Sequence, residues 1–149
     1  MKNIHWGELK DLNDLVHIDK LIIGNEERCL EIEEAIVNHQ CLVYKTNGEA
    51  VGFLLFNNYF FDHTFISLVI VHPHHRNKGV ARTLIAAFEE EINEDKIFSS
   101  TNQSHDIMHH LFHSLGYEKS GFVDNLDEGD PEIIYVKKKI GQGRNDRTD

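Results

Sequence analysis

Cysteine is scarce in this sequence: only Cys29 and Cys41 carry a thiol, too few for a disulfide scaffold and without the paired spacing of a zinc site. No apolar run approaches the roughly 20 residues needed to span a bilayer, and Met1-Lys2-Asn3 opens no secretory signal. A soluble cytoplasmic protein with no membrane partner is therefore expected. Basic charge is short as well. Lys and Arg number 15 against 25 Asp and Glu, a formal charge of −10 with a pI near 5.5, which argues against a nucleic-acid partner. Internal repeats and long linkers are absent. Residues 141–149 contain no apolar side chain and are expected to form a polar tail. That leaves 1–140 as one domain, with enough apolar content to bury a core.

What is present alternates between helical and extended patterns. Asn3 to Trp6 suits a short edge strand. Leu9, Leu12, Leu15, Val16 and Leu21 recur at helical spacing and predict an amphipathic helix over 9–22. A second helix is expected from about Glu27 to Asn38, with Leu30, Ile32, Ile36 and Val37 as its apolar positions. Cys41–Tyr44 and Ala50–Phe56 then read as strands flanking Asn47-Gly48, a strong hairpin signal. Phe65–Val71 is a nearly continuous apolar strand, as for one buried on both faces, and Pro73 stops it.

From Gly79 the helical period returns through Ala81, Leu84, Ile85, Phe88 and Ile92. Ile97-Phe98 is a short strand. Ser104 can cap a helix carrying Ile107, Met108, Leu111, Phe112 and Leu115, which Gly116 closes. Tyr117–Phe122 and Ile133–Lys138 are the last two strands, around an acidic loop. The order β-α-α-β-β-β-α-β-α-β-β predicts an α/β (mixed α+β) fold, a central mixed β-sheet with helices on both faces.

One segment carries chemistry: Val69-Ile-Val-His-Pro-His-His-Arg-Asn-Lys-Gly-Val-Ala-Arg82. Between His63 and Phe88 this acidic chain has no Asp or Glu, while Arg76, Lys78 and Arg82 all fall inside. A strand, a short loop and a helix start follow one another there. Amides at a helix start lack internal partners and carry the positive end of the dipole. Gly79 has no Cβ to obstruct a ligand. Such a turn can cradle a pyrophosphate, or it can be a plain connection with a solvated basic rim.

The same residues resemble the acyl-CoA motif of the GNAT superfamily of N-acyltransferases, V-x-P-x-x-[QR]-x-x-G-x-[GA], here Val71, Pro73, Arg76, Gly79 and Ala81. The resemblance covers roughly residues 3–139. It implies a GNAT-type fold whose fourth and fifth strands splay apart, with acetyl-CoA as cosubstrate. Val69, Ile70 and Val71 would meet the pantetheine arm, completing the sheet in the manner of strand addition. Arg76, Asn77, Lys78, Gly79, Val80, Ala81 and Arg82 would surround the phosphates. Ala81 stands where a second glycine is commoner. The family's oxyanion donor, a backbone N–H of the fourth strand, would be that of Ile70 or a neighbour. Homodimers are common in the family, so the resemblance makes a homodimer plausible here, though no stripe in the sequence identifies an interface.

The family's side-chain catalysts transfer poorly. Phe112 occupies the position of a Tyr general acid, His105 that of an Asn near the helix start, and Ser67 and Ser100 those of carboxylates. His72 or His63 could supply proton transfer, since imidazole titrates near pH 6.5, or could be surface and packing residues. The pairs His105/His109 and His109/His113 share a helix face, but no nearby carboxylate completes a metal site, and none is expected. Asn125, Asp127 and Glu128 lie in the connection between the last two strands and could form an anionic rim that attracts a cationic amine, or a solvated turn that Gly129 and Pro131 serve by geometry alone. Small members of the family carry a similar Asn-Leu-Asp-Glu-Gly-Asp-Pro-Glu stretch, which favours the first. Tyr59, Phe60 and Phe61 could supply the acceptor pocket's apolar wall or could equally be core. The expected activity is N-acetyl transfer to a primary amine of a small molecule or peptide. The alternative is an acyl-CoA-binding sensor or partner-binding module with little turnover.

Overall fold

The computed structural model describes residues 3–139, so the tail expected at 141–149 lies outside the described residues. Seven strands form one mixed sheet in the order β1-β2-β3-β4-β5-β7-β6. They are β1 (Ile4–Trp6), β2 (Cys41–Thr46), β3 (Glu49–Phe60), β4 (His63–Val71), β5 (Lys96–Asn102), β6 (Glu118–Val123) and β7 (Glu132–Lys138). Four α-helices join them: α1 (Leu12–Ile23), α2 (Cys29–Val37), α3 (Val80–Glu91) and α4 (Asp106–Ser114). The succession of elements is the one the periodicities predict. The chain divides into two compact units, one from the described part of Met1–Asn57 with Ser67–Ile92, the other from Asn58–Ile66 with the described part of Asn93–Asp149.

In the first unit, β1 pairs antiparallel with β2, and β2 with β3. Asn47 and Gly48 link the latter pair with φ of 54° and 81°, both left-handed, as the tightest hairpin turns require. The core draws Leu15, Val16 and Ile18 from α1, Ile32, Ala35 and Ile36 from α2, and Cys41, Val43, Phe53, Leu55 and Ile70 from the strands. Burial pushes the Cys41 thiol up to about 12, so it stays protonated and inert. The carboxylate of Asp19 on α1 accepts from Arg28 Nε at 3.0 Å and Nη2 at 2.6 Å, tying α1 to the start of α2.

The helices differ in detail from the periodic expectation. Residues Leu9–Asp11 form a 3-10 turn, and α1 begins only at Leu12. Asp11 sets this break, accepting the Glu8 N–H at 2.9 Å and an ion pair from Lys45 at 2.9 Å. Leu9 and Leu21 are exposed, because the inward stripe of α1 runs through Leu15, Val16 and Ile18. On α2, Ala35 replaces two bulkier candidates: Leu30 is 71% exposed, and Val37 also faces solvent. A residue three or four positions from Ile32 shares its face, and Leu30 does not.

In the second unit, Phe61 and Asp62, both with left-handed φ, close the turn from β3 into β4. Phe60 stacks on Phe65 at 5.1 Å and meets Phe98 at 4.9 Å. The parallel ladder of β4 with β5 comprises Thr64–Ile66 against Ile97–Ser99. Strand β7 pairs antiparallel with β5 along its whole length, from Lys96↔Lys138 to Asn102↔Glu132, and with β6 on its other side.

Two expectations need correction here. Strand β4 is not buried on both faces: Thr64, Ile66 and Ile70 are buried, whereas Phe65, Ser67, Val69 and Val71 are only half-buried. An apolar run cannot show whether its second face is covered. Strand β5 extends well beyond Ile97-Phe98, through Ser-Ser-Thr-Asn, which has no apolar alternation. Its hydrogen bonds replace hydrophobic patterning: Ser99 Oγ donates to the Ile66 carbonyl at 2.9 Å and Ser100 Oγ to Glu132 Oε2 at 2.7 Å.

Helix α4 is capped by His105, whose Nδ1 accepts the Met108 N–H at 3.3 Å, and not by Ser104. Ser104 is already committed, since its N–H and Oγ donate to the Asp130 carboxylate at 3.0 and 2.7 Å.

Candidate functional site

The turn after β4 is built by its histidines. His72 N–H donates to the Val51 carbonyl at 2.8 Å, holding the strand end against β3. Its Nδ1 accepts the His74 N–H at 3.0 Å, and its carbonyl accepts the His75 N–H at 2.8 Å. These bonds wind Pro73–His75 into a 3-10 turn, with Pro73 supplying a preset φ. Burial, then the neighbouring His74, His75 and His17, hold the His72 imidazole below its ordinary value, so it is neutral at pH 7. His72 therefore shapes the loop with one ring nitrogen, whatever its other nitrogen does. His63 lies elsewhere, at the start of β4 in the second unit, against Phe98.

Past that turn the backbone runs extended at Arg76, left-handed at Asn77 (φ 63°) and left-handed again at Gly79 (φ 77°), the residue before α3. Left-handed φ is easy for glycine and tolerable for asparagine, which is why these residues stand there. A Cβ at Gly79 would meet nothing within 4 Å, so the space before the helix start is open. The amides of Val80 and Ala81 belong to the first helical turn, where no intrahelical acceptor exists. No acidic residue lies in that turn. Arg76, Asn77, Lys78 and Gly79 are exposed, while Val80 is buried and anchors the helix start. Arg76 and Lys78 have no ion-pair partner among the described residues. The arrangement offers main-chain donors, a dipole end and exposed cations to one anion, which suits a diphosphate.

Beside the cradle in the same unit runs Ser67–Val71 of β4, beyond the residues that ladder with β5. Val69 and Val71 are half-buried and the Ile70 side chain is in the core. Sequence reasoning missed a neighbour, Gly52 of β3. A Cβ there would fall 2.8 Å from Val80 Cγ1, 3.0 Å from the Ile70 carbonyl oxygen and 3.5 Å from Leu84 Cδ1. A lone glycine inside an apolar strand was its available signal.

The remaining candidates lie in the second unit. His105 caps α4 and is exposed. Phe112 is fully buried, stacked on Tyr135 at 4.8 Å and packed on Tyr117 at 5.3 Å. Asp127 is occupied, its Oδ2 accepting from Asn102 Nδ2 at 2.9 Å, whereas Asn125 and Glu128 are exposed. Tyr59, 79% exposed, precedes the β3–β4 turn, at the Ile97 end of β5, while the acidic loop joins at Asn102. At 3.3 Å per residue these ends are roughly 15 Å apart, so Tyr59 and the acidic loop do not form one cluster. No group of three or more His, Cys, Asp or Glu side chains arranged for a metal ion occurs among the described residues. No helix among them is long and apolar enough to cross a membrane.

Residues 9–117 match the acetyltransferase (GNAT) family. No curated protein matches the chain. Among solved structures, a GNAT-family acetyltransferase from Bacillus cereus ATCC 10987 is 42% identical with a TM-score of 0.89, over 92% of this chain and 96% of that one. The ribosomal-protein-alanine N-acetyltransferase of Brucella melitensis is 20% identical with a TM-score of 0.78, over 91% and 98%. A Salmonella typhimurium protein solved with its cofactor acetyl-CoA is 16% identical with a TM-score of 0.74, over 91% and 92%. The last two likenesses are of fold alone. The family match over most of the chain, joined to 42% identity along almost its full length, makes this protein a member of the acetyltransferase (GNAT) family.

Proposed function

We propose that the chain moves the acetyl group of acetyl-CoA to a primary amine of a small molecule or peptide by direct attack on the thioester. The observation that carries this reading is the open, acid-free helix start at Gly79, behind a strand segment with no β5 partner. The residues fit the cosubstrate. Arg76, Asn77, Lys78, Gly79, Val80, Ala81 and Arg82 would hold its phosphates, and Val69–Val71 would pair with the amide-bearing pantetheine arm. The acetyl-CoA of the Salmonella protein's structure supports the choice of cosubstrate.

In the transfer, a neutral amine forms the new C–N bond, the C–S bond breaks, and the amine's proton and the departing thiolate must both be served. A backbone N–H needs no particular side chain, so the Ile70 amide or a neighbour is the proposed oxyanion donor. Phe112 has no proton to give. The Ser67 hydroxyl is turned to the Leu55 carbonyl at 3.3 Å. Proton traffic then falls to water and to His72, which lies in the same unit as the Ile70 amide. For the acceptor, the exposed Asn125 and Glu128 offer an anionic rim to a cationic amine, with Asp127 fixing the loop. His105 is proposed as a further cofactor contact, and Tyr59 as an outlying acceptor contact.

Gly79→Val tests the reading. It forces a β-branched residue to φ 77° and fills the open space. The acetyl-CoA dissociation constant should rise at least about tenfold with the fold retained. Unchanged affinity removes the cradle. An amine panel with acetyl-CoA, monitored by thiol release, separates turnover from a binding-only role.

A further inference from the structure

We infer that Gly52 is a positioning residue for the cosubstrate site, setting the distance between the start of α3 and the β4 backbone. This inference rests on the proposed acetyl-CoA cradle. Three groups converge on the missing side chain: Val80 Cγ1 at 2.8 Å, the Ile70 carbonyl oxygen at 3.0 Å and Leu84 Cδ1 at 3.5 Å from the place a Cβ would take. Two of these residues belong to the candidate site. Val80 is the first residue of α3, whose amides face the proposed phosphate position, and Ile70 carries the proposed oxyanion donor.

Neither close neighbour can step aside cheaply. Val80 is buried, and a β-branched side chain in a helix has one strongly preferred rotamer. The Ile70 oxygen is backbone, and moving it means moving β4. Leu84 is at ordinary van der Waals distance and would not object. A methyl group at position 52 would therefore push α3 away from the sheet, or rotate the peptide at Ile70, by a few tenths of an ångström. A site that aims several main-chain donors at one ligand is sensitive to displacements of that size.

The penalty should appear in binding more than in folding. Gly52 does not have the left-handed φ that would strain alanine, and alanine narrows the unfolded ensemble. Glycine in a strand interior is otherwise a weak choice, so its presence there calls for the close approach that these distances show.

The test is a double-mutant cycle read by calorimetric titration with coenzyme A. The set is the wild-type protein, Gly52→Ala, Val80→Ala and the double variant, each with its melting temperature. Gly52→Ala is expected to raise the coenzyme A Kd about tenfold. In the Val80→Ala background, where the nearest obstructing atom is gone, the same substitution should cost less than about threefold. A Gly52→Ala variant that binds like wild type overturns the inference, and so does an equal loss in both backgrounds. Should Gly52→Ala not fold, Gly52→Val/Val80→Ala compared with Val80→Ala decides the matter. Bulk is then returned from the strand side, and affinity should fall about tenfold, unchanged affinity being the contrary result. If wild type itself binds no coenzyme A, the acetyl-CoA cradle fails first, and that outcome is distinct from an intact wild type with an indifferent Gly52 variant.

Discussion

The hydroxyl of Tyr135 lies 2.6 Å from Nδ1 of His109, and the other ring nitrogen of His109 lies 3.0 Å from each of two backbone carbonyls, Asn102 and Gln103. A carbonyl can only accept, so Nε2 carries a proton, and Nδ1 is left to the Tyr135 hydroxyl. Both ring nitrogens are thus used inside the fold. His105 likewise spends its Nδ1 on a helix cap. The i,i+4 histidines of α4 thus have structural duties that their spacing alone does not reveal.

We predict that Tyr135→Phe removes the hydrogen-bond partner of Nδ1 on a partly buried imidazole and lowers stability by about 1–2 kcal/mol, measured by urea unfolding. Burial also raises the Tyr135 pKa above the usual phenol value, so in an alkaline titration followed by phenolate absorbance this residue should ionise later than a free tyrosine. A chelator should leave the melting temperature of untagged protein unchanged.

Asp11 makes stability acid-dependent. Burial favours its neutral form, but Lys45 and the Glu8 N–H together outweigh that cost and hold the carboxyl below its ordinary value. A depressed carboxyl pKa means that the unfolded chain binds more protons in that window. The contribution is therefore complete above about pH 4 and disappears as pH falls through the folded value. Asp11→Asn is expected to cost about 1–3 kcal/mol at pH 7, a gap to wild type that narrows below pH 4 in denaturation curves taken across pH.

Arg76 is exposed and without an ion-pair partner among the described residues, so it should contribute to ligand attraction and not to folding. Arg76→Ala is predicted to weaken coenzyme A binding about fivefold at low salt. The difference should shrink at an ionic strength of about 1 M, where screening reaches a few ångströms, while the melting temperature stays put. Titration at two salt concentrations checks both statements.

The acidic loop is latched at Asp130, which takes both the N–H and the hydroxyl of Ser104. Asp130→Ala should free the loop and cost about 1 kcal/mol. The Ser104 amide, followed by hydrogen exchange, should lose protection in the variant before the amides of β5 do.

Most of the scaffold was legible in the residues because its signals are local. Asn47-Gly48 announces its hairpin, the run from Phe65 to Val71 announces a strand, and Gly79 with the helical period that follows it announces the start of α3. The less legible parts depend on partners distant in sequence. Ser99-Ser-Thr-Asn102 becomes strand only because β7 lies alongside it. Ser104 loses its capping role to His105 because Asp130, far along the chain, claims it first. Leu30 and Ala35 exchange their expected places because helical phase, more than side-chain size, selects what faces inward. A lone glycine in the apolar strand β3 hints at a close neighbour, but nothing within that strand tells that Val80 and Ile70 are what close upon Gly52.

At one flank of the sheet, β6 exposes all six of its residues, and its register slips between Lys119 and Gly121. At the other, β1 has only three residues. A kinked, charge-bearing border and a stub are both poor templates for adding further chains. Neither outer margin of the sheet therefore invites fibrillar growth.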